Sequence, residues 1–200
     1  MVCLRTKQCL SVPSVWTNGS AMGLGVRDIG TAMGLVPEAL TTLRPGDSVC
    51  VISASAEEAP NSILPLIAAG LGRGDRCAYL AGPEASQSLL RLLQEAGWDT
   101  GPLRMTGRLF TGTDDEVIHA LGATEAVGVT AVWDAGHRDM ARRLGLAPGT
   151  VSPEAVPVRS ACVYDRSSVS DDELEQEIRA YPFILLDGVL CENPMYVDHG

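Results

Sequence analysis

Two side chains that could do chemistry lie close together after one predicted strand. Asp134 directly follows the apolar run Val127–Trp133, and His137 comes three residues later. An acid at this position often holds a metal ion in nucleotide hydrolases, and His137 could act as an acid–base group or a ligand. Plainer interpretations stay open beside these. Asp134 is also typical of a turn before Gly136, and a histidine on the surface would have no chemical role.

The loop after the first predicted strand lacks the residues that bind phosphate. A phosphate loop has the pattern GxxxxGK[ST], in which the glycines let the backbone approach, the lysine reaches the terminal phosphates and the hydroxyl binds magnesium. Here residues 53–62 contain no glycine and no lysine, and they include Glu57 and Glu58. Two carboxylates repel a triphosphate, so the sequence argues against ATP hydrolysis at this position.

Three cysteines lie within predicted central strands: Cys50, Cys77 and Cys162. Buried cysteine behaves as a small apolar residue, so a place in the core is one interpretation. The other is a thiol-lined pocket that senses a soft ligand or the redox state. The chain has no CxxC pair, so neither a zinc ribbon nor a thioredoxin-like site is predicted. We expect no metal site and no cofactor.

The charge and hydropathy of the chain exclude several classes of partner. Acidic residues outnumber basic ones by 25 to 15, which gives a formal net charge of −10. Nucleic acids and anionic lipid surfaces are bound mainly through lysine and arginine, so we expect neither as a direct partner. No apolar run approaches the roughly 20 residues of a membrane span, and no secretory signal precedes the first strand. We therefore expect a cytoplasmic protein with reduced thiols.

Apolar runs alternate with helical patterns from residue 44 onward. Strands that are apolar throughout, with helices between them, are typical of a parallel sheet covered on both faces. The fold class predicted is therefore α/β, with a mostly parallel central sheet flanked by helices. We expect residues 1–43 to form a flexible or partly helical N-terminal arm, and residues 44–197 to form the domain. The predicted strands are Val49–Ser53, Arg76–Leu80, Val127–Trp133, Val158–Tyr164 and Phe183–Leu186.

The helices are predicted from spacing and end signals. Ser170 can cap its helix, with Glu173 as the reciprocal partner of a capping box. Pro65 fits its helix only within the first turn. Leu103–Phe110 is expected to hold a short strand or hairpin. The predicted helices are Ser62–Leu71, Ser86–Ala96, Asp114–Ala126, His137–Leu144 and Ser170–Ala180.

Four stretches together resemble the MEDS domain, a sensory domain described from methanogens and methylotrophs. They are RPGDSVC at residues 44–50, LIAAGLGRGDRCAYL at 66–80, ACVYD at 161–165, and YPFILLDG at 181–188 followed by ENPMY at 192–196. The central block, with SQSLLRLLQEAGWD at 86–99, is also similar to RecA-type ATPases of the circadian-clock class. The resemblance implies a RecA-like fold without the phosphate loop, and a sensory module that binds small molecules.

The sequence departs from the MEDS pattern at two positions. Ser48 stands where the opening motif of the family usually has histidine, and Tyr181 stands where the late motif has histidine. Both changes remove imidazoles. A metal site or proton switch that depended on those two histidines is therefore not expected in this chain.

The leading hypothesis is a non-catalytic regulatory protein. In parallel α/β sheets ligands bind beyond the carboxyl ends of the strands, so we expect a small apolar or weakly polar ligand there. Its occupancy would be read by a regulatory protein partner, in bacterial transcription or stress regulation as the resemblance implies. The alternatives are an enzyme that reuses the degenerate nucleotide site, and a ligand-free interaction scaffold. The candidate ligand-binding residues are Cys50, Ser53, Cys77, Asp134, His137, Cys162, Tyr164, Asp165 and Asn193.

Overall fold

The structure is a computed structural model, and it describes residues 38–112, 128–143 and 158–197. The predicted helix Asp114–Ala126 and residues 1–37 of the predicted arm lie outside these ranges. The strands are β1 (Ser48–Ser53), β2 (Arg76–Leu80), β3 (Leu109–Gly112), β4 (Val129–Asp134), β5 (Val158–Asp165), β6 (Phe183–Leu186) and β7 (Val189–Glu192). The helices are α1 (Glu38–Thr41), α2 (Ala59–Arg73), α3 (Pro83–Glu95), α4 (Thr100–Met105), α5 (Arg138–Arg143) and α6 (Asp171–Ile178).

The strands form one seven-stranded sheet in the order β3-β2-β4-β5-β1-β6-β7. All neighbours are parallel except β7, which pairs antiparallel with β6 through a tight turn at Asp187 and Gly188. This arrangement confirms the predicted fold class, and it is compatible with a RecA-like or Rossmann-type fold. Because the central strands β1, β2, β4 and β5 are covered on both faces, most of their side chains are buried.

Helices cover the two faces of the sheet in a fixed pattern. The helices that follow β1 and β2, namely α2 and α3, pack against each other on one face. On the other face, Ala141 of α5 and Leu174 of α6 join the second apolar core. The adjacent strands β2 and β4, like β1 and β5, therefore send their helices to different sides, and this leaves a crevice at the carboxyl edge of the sheet. No helix within the described ranges is long and apolar enough to cross a membrane.

The helix α2 differs from its prediction. It begins at Ala59, with Pro60 in the first turn, and Pro65 lies inside it beyond that turn. The expectation that this helix tolerates Pro65 only within its first turn was therefore wrong. Proline has no N–H, so the carbonyl of Asn61 lacks its helical hydrogen bond. Asn61 is exposed, so water can donate to that oxygen instead. The helix ends at Gly74, which has a left-handed conformation (φ 88°).

The stretch Leu103–Phe110, predicted to hold a short strand or hairpin, begins with the end of α4, and the strand β3 starts only at Leu109. The side chain of Asp99 caps α4 by accepting a hydrogen bond from the N–H of Gly101 at 3.2 Å. Pro102 in the first turn suits a helix start. The strand β3 follows only after a turn at Gly107. The capping box predicted for Ser170 and Glu173 at the start of α6, in contrast, is confirmed.

A buried carboxylate joins several elements at the amino edge of the sheet. Asp75 precedes β2 and is 3% exposed. Its Oδ2 atom accepts hydrogen bonds from Arg73 of α2 at 3.0 Å and from the hydroxyl of Thr130 in β4 at 2.8 Å. Arg159 of β5 lies 3.4 Å from the same oxygen. The carboxylate therefore joins the end of α2 to three strands, and we call these four residues the Asp75 cluster.

The two arginines of the Asp75 cluster also hold the chain that precedes β1. Arg73 donates to the carbonyl of Leu40 at 3.1 Å, and Arg159 donates to the carbonyl of Leu43 at 2.8 Å. These oxygens lie at and just beyond the end of α1, where backbone carbonyls lack helical partners. The cluster thus fixes α1 against the rest of the domain.

Removing the charge of Asp75 should destabilise the fold strongly. Asp75→Asn leaves two partly buried guanidinium groups without their counterion, and breaking such a pair costs about 3–5 kcal/mol. Chemical denaturation should show this loss in the free energy of unfolding. The control is Glu95→Gln, which breaks the exposed Arg91–Glu95 pair and should change stability by less than about 0.5 kcal/mol. Equal effects of the two variants would contradict the central role of the cluster.

Two glycines of α2 should respond oppositely to alanine. A Cβ atom at Gly70 would lie 2.6 Å from Thr130 Oγ1 and 2.8 Å from Cys77 Sγ, whereas one at Gly72 would meet nothing within 4 Å. Gly70→Ala should therefore destabilise the protein by about 1–3 kcal/mol through overpacking. Gly72→Ala should stabilise it by about 0.5–1 kcal/mol, because alanine restricts the unfolded chain.

Thermal or urea unfolding of both alanine variants measures this difference directly. The two sites are two residues apart in the same helix, so each serves as the control for the other. A Gly70→Ala variant as stable as Gly72→Ala would show that α2 does not lie this close to β2 and β4.

Candidate functional site

The loop between β1 and α2 occupies the place where a phosphate loop would bind its ligand, and it is closed on itself. The backbone N–H groups of Glu58 and Ala59 both donate to the carbonyl of Ser55, at 3.1 and 3.2 Å. At the end of β1 the hydroxyl of Ser53 donates to the carbonyl of Tyr164 at 3.3 Å. Since these donors already have partners, a phosphate could bind them only if the loop rearranged.

Asp165 at the end of β5 supplies an internal anion beside this loop. Its Oδ1 atom accepts from the hydroxyl of Ser167 at 2.6 Å and from the N–H of Ser167 at 2.8 Å. The backbone N–H of Ala56, within the β1–α2 loop, also bonds to this carboxylate. The hydrogen bonds from Ser167, the largest cause, and from Ala56 hold the pKa of Asp165 below its usual value. A negative charge of the protein therefore lies beside the β1–α2 loop, at the end of β5.

Asp134 and His137 are brought together, as their spacing allowed. Asp134 Oδ1 lies 2.6 Å from Nδ1 of His137, across the short 3₁₀ turn that begins α5. Both side chains keep contact with solvent. The carboxylate orients the imidazole and leaves Nε2 as the nitrogen that could accept or donate a proton. This pair can act as an acid–base unit, and it can equally serve to stabilise the turn.

Tyr79, which the sequence analysis did not select, lies near this pair. It is 1% exposed, and burial raises the pKa of its phenol, with the charge of Asp134 adding to the shift. In the register of β2 and β4, Leu80 lies beside Trp133, which places the end of β2 next to Asp134. No sequence signal separates Tyr79 from an ordinary core tyrosine.

The three strand cysteines do not line one pocket. Cys77 lies under α2, where its thiol donates to the carbonyl of Ile67 at 3.6 Å. Cys50 and Cys162 are side by side on the opposite face of the sheet, on adjacent strands. Burial raises the pKa of all three thiols, that of Cys162 to about 11. They are therefore neutral, poorly nucleophilic core groups at physiological pH, and Cys77 does not share a pocket with the other two.

Tyr164 belongs to a buried polar bridge beneath α6. Its hydroxyl donates to Glu177 Oε2 at 3.0 Å, and Arg138 pairs with Oε1 of the same carboxylate. The ring of Tyr164 also meets that of Tyr181 edge-to-face, with centroids 6.4 Å apart. The bridge ties α5 and α6 to β5. Tyr164 is therefore bound within the protein and is not available to order the rim of a ligand site.

Asn193 lies at the wrong edge of the sheet for its predicted role. Because β7 runs antiparallel to β6, its last residue pairs with Phe183, the first residue of β6. The side-chain amide of Asn193 donates to the carbonyls of Ile178 at 2.6 Å and Tyr181 at 2.7 Å. The residue thus closes the end of α6 at the amino edge. The prediction that it lines the carboxyl edge was wrong.

A surface cleft opens at the carboxyl edge, beside the ends of β2 and β3. Its volume is about 300 Å³, and its wall is mostly apolar. The N–H of Ala81 donates to the carbonyl of Gly112 at 3.3 Å, which holds the two strand ends together at its base. The lining residues are Ala81, Pro83, Ser86, Gln87, Leu90, Arg104, Thr111 and Gly112.

None of the residues selected from the sequence lines this cleft. Apart from Cys77 of β2 and Asn193 after β7, the predicted residues lie on or just after β1, β4 and β5. The cleft lies one strand beyond Asp134, at the ends of β2 and β3. Its positive charge comes from Arg104 on α4, a helix that the sequence analysis had taken for a strand or hairpin. Recognising Asp99 as a helix cap was the signal that could have placed Arg104 correctly.

The titratable side chains of the described ranges do not assemble a metal site. Within residues 38–112, 128–143 and 158–197, no group of three or more histidine, cysteine, aspartate or glutamate side chains could hold an ion. Ser48 and Tyr181, which replace histidines of the resembled motif, serve the packing instead. The hydroxyls of Ser48 and Ser160 lie 2.8 Å apart, and Tyr181 is buried.

Comparison with known proteins leaves the family open. No protein-family model matches the chain, and no curated protein matches it. A solved structure from Pyrococcus horikoshii OT3 is similar to it with a TM-score of 0.49 and 12% sequence identity. The similarity covers 74% of this chain and 85% of that one. At this level it carries no conclusion about function. The class defined here is therefore an α/β protein with a mostly parallel sheet, and the resemblance to the MEDS domain stays a prediction.

The stabilising effect of Asp165 should depend on pH. Its pKa in the folded chain lies below the ordinary value of 3.8, so the ionised carboxylate stabilises the fold above that value. This contribution is lost as the pH falls through the folded pKa. Asp165→Asn should therefore be less stable than the natural chain at pH 7, and the difference should shrink as the pH falls below 3.8 and through the folded pKa. Urea denaturation at several pH values measures it, and a difference that grows towards low pH would contradict this assignment.

Proposed function

We propose that the chain is a non-catalytic regulatory protein of the cytoplasm, which binds a small molecule at the carboxyl edge of its sheet and signals through a partner protein. The observation that carries this proposal is the contrast between two parts of that edge. The β1–α2 loop is closed on itself and on Asp165, whereas the cleft at the ends of β2 and β3 is open. A site for a small ligand therefore replaces a site for a nucleotide phosphate.

The chemistry of the closed loop supports the non-catalytic part of the proposal. Phosphoryl transfer depends on positioned cations and backbone N–H groups around the transferred phosphate. Here the loop carries Glu57 and Glu58, and Asp165 adds a third carboxylate beside it. No lysine or arginine lies in residues 53–62 to offset these charges. An ATPase cycle at this position would work against the electrostatics of the site.

The position of the cleft supports a regulatory role. It lies between α3, α4 and β3, close to the surface, so an occupant would contact both helices. Binding there would stabilise one arrangement of α3 and α4 over others, and a protein partner could read that difference. We place this output in bacterial transcription or stress regulation, on the basis of the resemblance to the MEDS domain.

A second candidate function is favoured by the Asp134–His137 pair. A histidine oriented by a carboxylate at 2.6 Å is suited to general acid–base catalysis. An enzyme would then use this pair on a substrate at the same edge. In that case Asp134→Asn would abolish turnover and leave the unfolding temperature nearly unchanged. In the regulatory protein that we propose, the same substitution affects only the local turn.

A thermal-shift screen of the purified chain tests the proposed function. The panel contains magnesium ATP, magnesium ADP, small apolar molecules and small amphipathic molecules. A compound present at about 100 times its dissociation constant stabilises the fold by about 2.7 kcal/mol. We expect a hit among the apolar or amphipathic compounds and no shift with either nucleotide.

Three results would contradict the proposal. Stabilisation by magnesium ATP would show that the nucleotide site is intact despite its carboxylates. No shift with any compound would favour a scaffold that binds only a protein. Turnover of a compound from the panel, lost in Asp134→Asn, would favour the second candidate instead.

A further inference from the structure

We propose that the cleft at the ends of β2 and β3 binds a small carboxylate with an apolar tail, and that Arg104 binds its carboxylate group. This inference rests on the proposed function and deepens it, because it assigns the ligand class and the place where the ligand binds. Three features carry it: the charge of the lining, the distribution of its polar groups and the size of the cleft.

Arg104 is the one charged side chain among the eight lining residues. Within the described ranges no aspartate or glutamate lines the cleft, although the chain has a net charge of −10. Within the described ranges no carboxylate pairs with Arg104, whereas Arg73, Arg91, Arg138, Arg142, Arg159 and Arg179 all have acidic partners. Its guanidinium therefore keeps its five donors for an external anion, and a carboxylate fits their planar geometry.

The polar groups of the cleft are few and surround an apolar wall. Ala81, Pro83 and Leu90 supply aliphatic surface, and Pro83 has no N–H. The hydroxyl of Ser86 is directed to the carbonyl of Ala81 at 3.4 Å, so it contributes little to a ligand. A ligand covered by this wall must itself be mostly apolar, since a polar group without a partner would lose its hydration.

The size of the cleft limits the ligand. Binding pockets for drug-sized molecules extend from about 300 to 1,000 Å³, so this one is at the lower end. At roughly 30 Å³ for a water-sized group, the cleft holds about ten such groups. A nucleoside triphosphate is far larger and carries several charges. A straight-chain carboxylate of about eight carbons matches both the volume and the single cation.

The probes that test the inference are octanoate, octan-1-ol and octylammonium, which share the tail and differ in the charge of the head group. Isothermal titration calorimetry measures the affinity of each for the full chain. We expect octanoate to bind, octan-1-ol to bind at least about tenfold more weakly, and octylammonium not to bind, because a charge-assisted hydrogen bond contributes more than a neutral one.

Two variants place the binding in the cleft. Arg104→Gln removes the charge and should weaken octanoate about tenfold or more, with little change for octan-1-ol. Arg142→Gln is the control: it removes the same charge from an exposed arginine of α5, on the other face of the sheet, and should leave octanoate binding unchanged. Gln87→Trp fills the cleft from an exposed position of α3 and should block all three probes.

Backbone amide chemical shifts then separate this inference from the proposed function. Octanoate should move the signals of Ala81 and Gly112 in the natural chain. If octanoate binds with equal strength in Arg104→Gln, or moves signals around Asp134 and His137 instead, the assignment of Arg104 is overturned while a small-molecule site remains. If no probe binds, the inference is wrong. The proposed function then depends on the broader thermal-shift panel.

Discussion

The buried carboxylate of Asp75 is the interaction on which the rest of this structure depends. It binds arginines from α2 and β5 and a hydroxyl from β4, and those arginines in turn hold the carbonyls of Leu40 and Leu43. A charge this deeply buried is tolerated only because its partners surround it. The partners come from elements far apart in the chain, so the cluster forms only when the sheet has its native strand order. It therefore secures the amino edge of the sheet and fixes the position of the end of α2.

Because the Asp75 cluster holds the amino edge of the sheet, the loops at the carboxyl edge can differ in sequence and in shape. The helix α2 is fixed at its last residue, Arg73, and the β1–α2 loop before it is short. The backbone amides of this loop bond to Ser55 and to the carboxylate of Asp165. A fold of this class uses that loop for phosphate when it has glycine and lysine there. Here the carboxylate of Asp165, a negative charge of the protein itself, lies beside this loop instead of a phosphate. The open part of the edge then lies at β2 and β3, where the chain offers one cation and an apolar wall.

Features with a local sequence pattern, such as buried strands and helix caps, could be predicted from the sequence. Long apolar runs such as Val49–Ser53 and Val158–Tyr164 could be recognised as buried parallel strands, and Ser170 with Glu173 marked a helix start correctly. The edge or face of the sheet on which a residue lies depends on partners distant in the chain, and it was predicted poorly. The pair Asp187-Gly188 between two apolar runs is a hairpin signal that could have shown that β7 turns back and carries Asn193 to the amino edge, and it was overlooked. Cys77 and Cys162 looked equivalent as strand cysteines, yet they lie on opposite faces. Arg104 was missed because its helix was taken for a strand, and a site can be predicted only when its elements are placed correctly.

The central claim of this account is that the phosphate position after β1 is closed by the protein itself. A titration of the ¹⁵N-labelled chain with magnesium ATP, followed on the backbone amides of residues 55–59 by NMR, tests that claim most directly. The account predicts that these signals do not move at millimolar nucleotide, because their N–H groups are already bonded to Ser55 and Asp165. A saturable shift of the Ala56, Glu58 and Ala59 amides would contradict it, and would show that the loop opens to receive a phosphate.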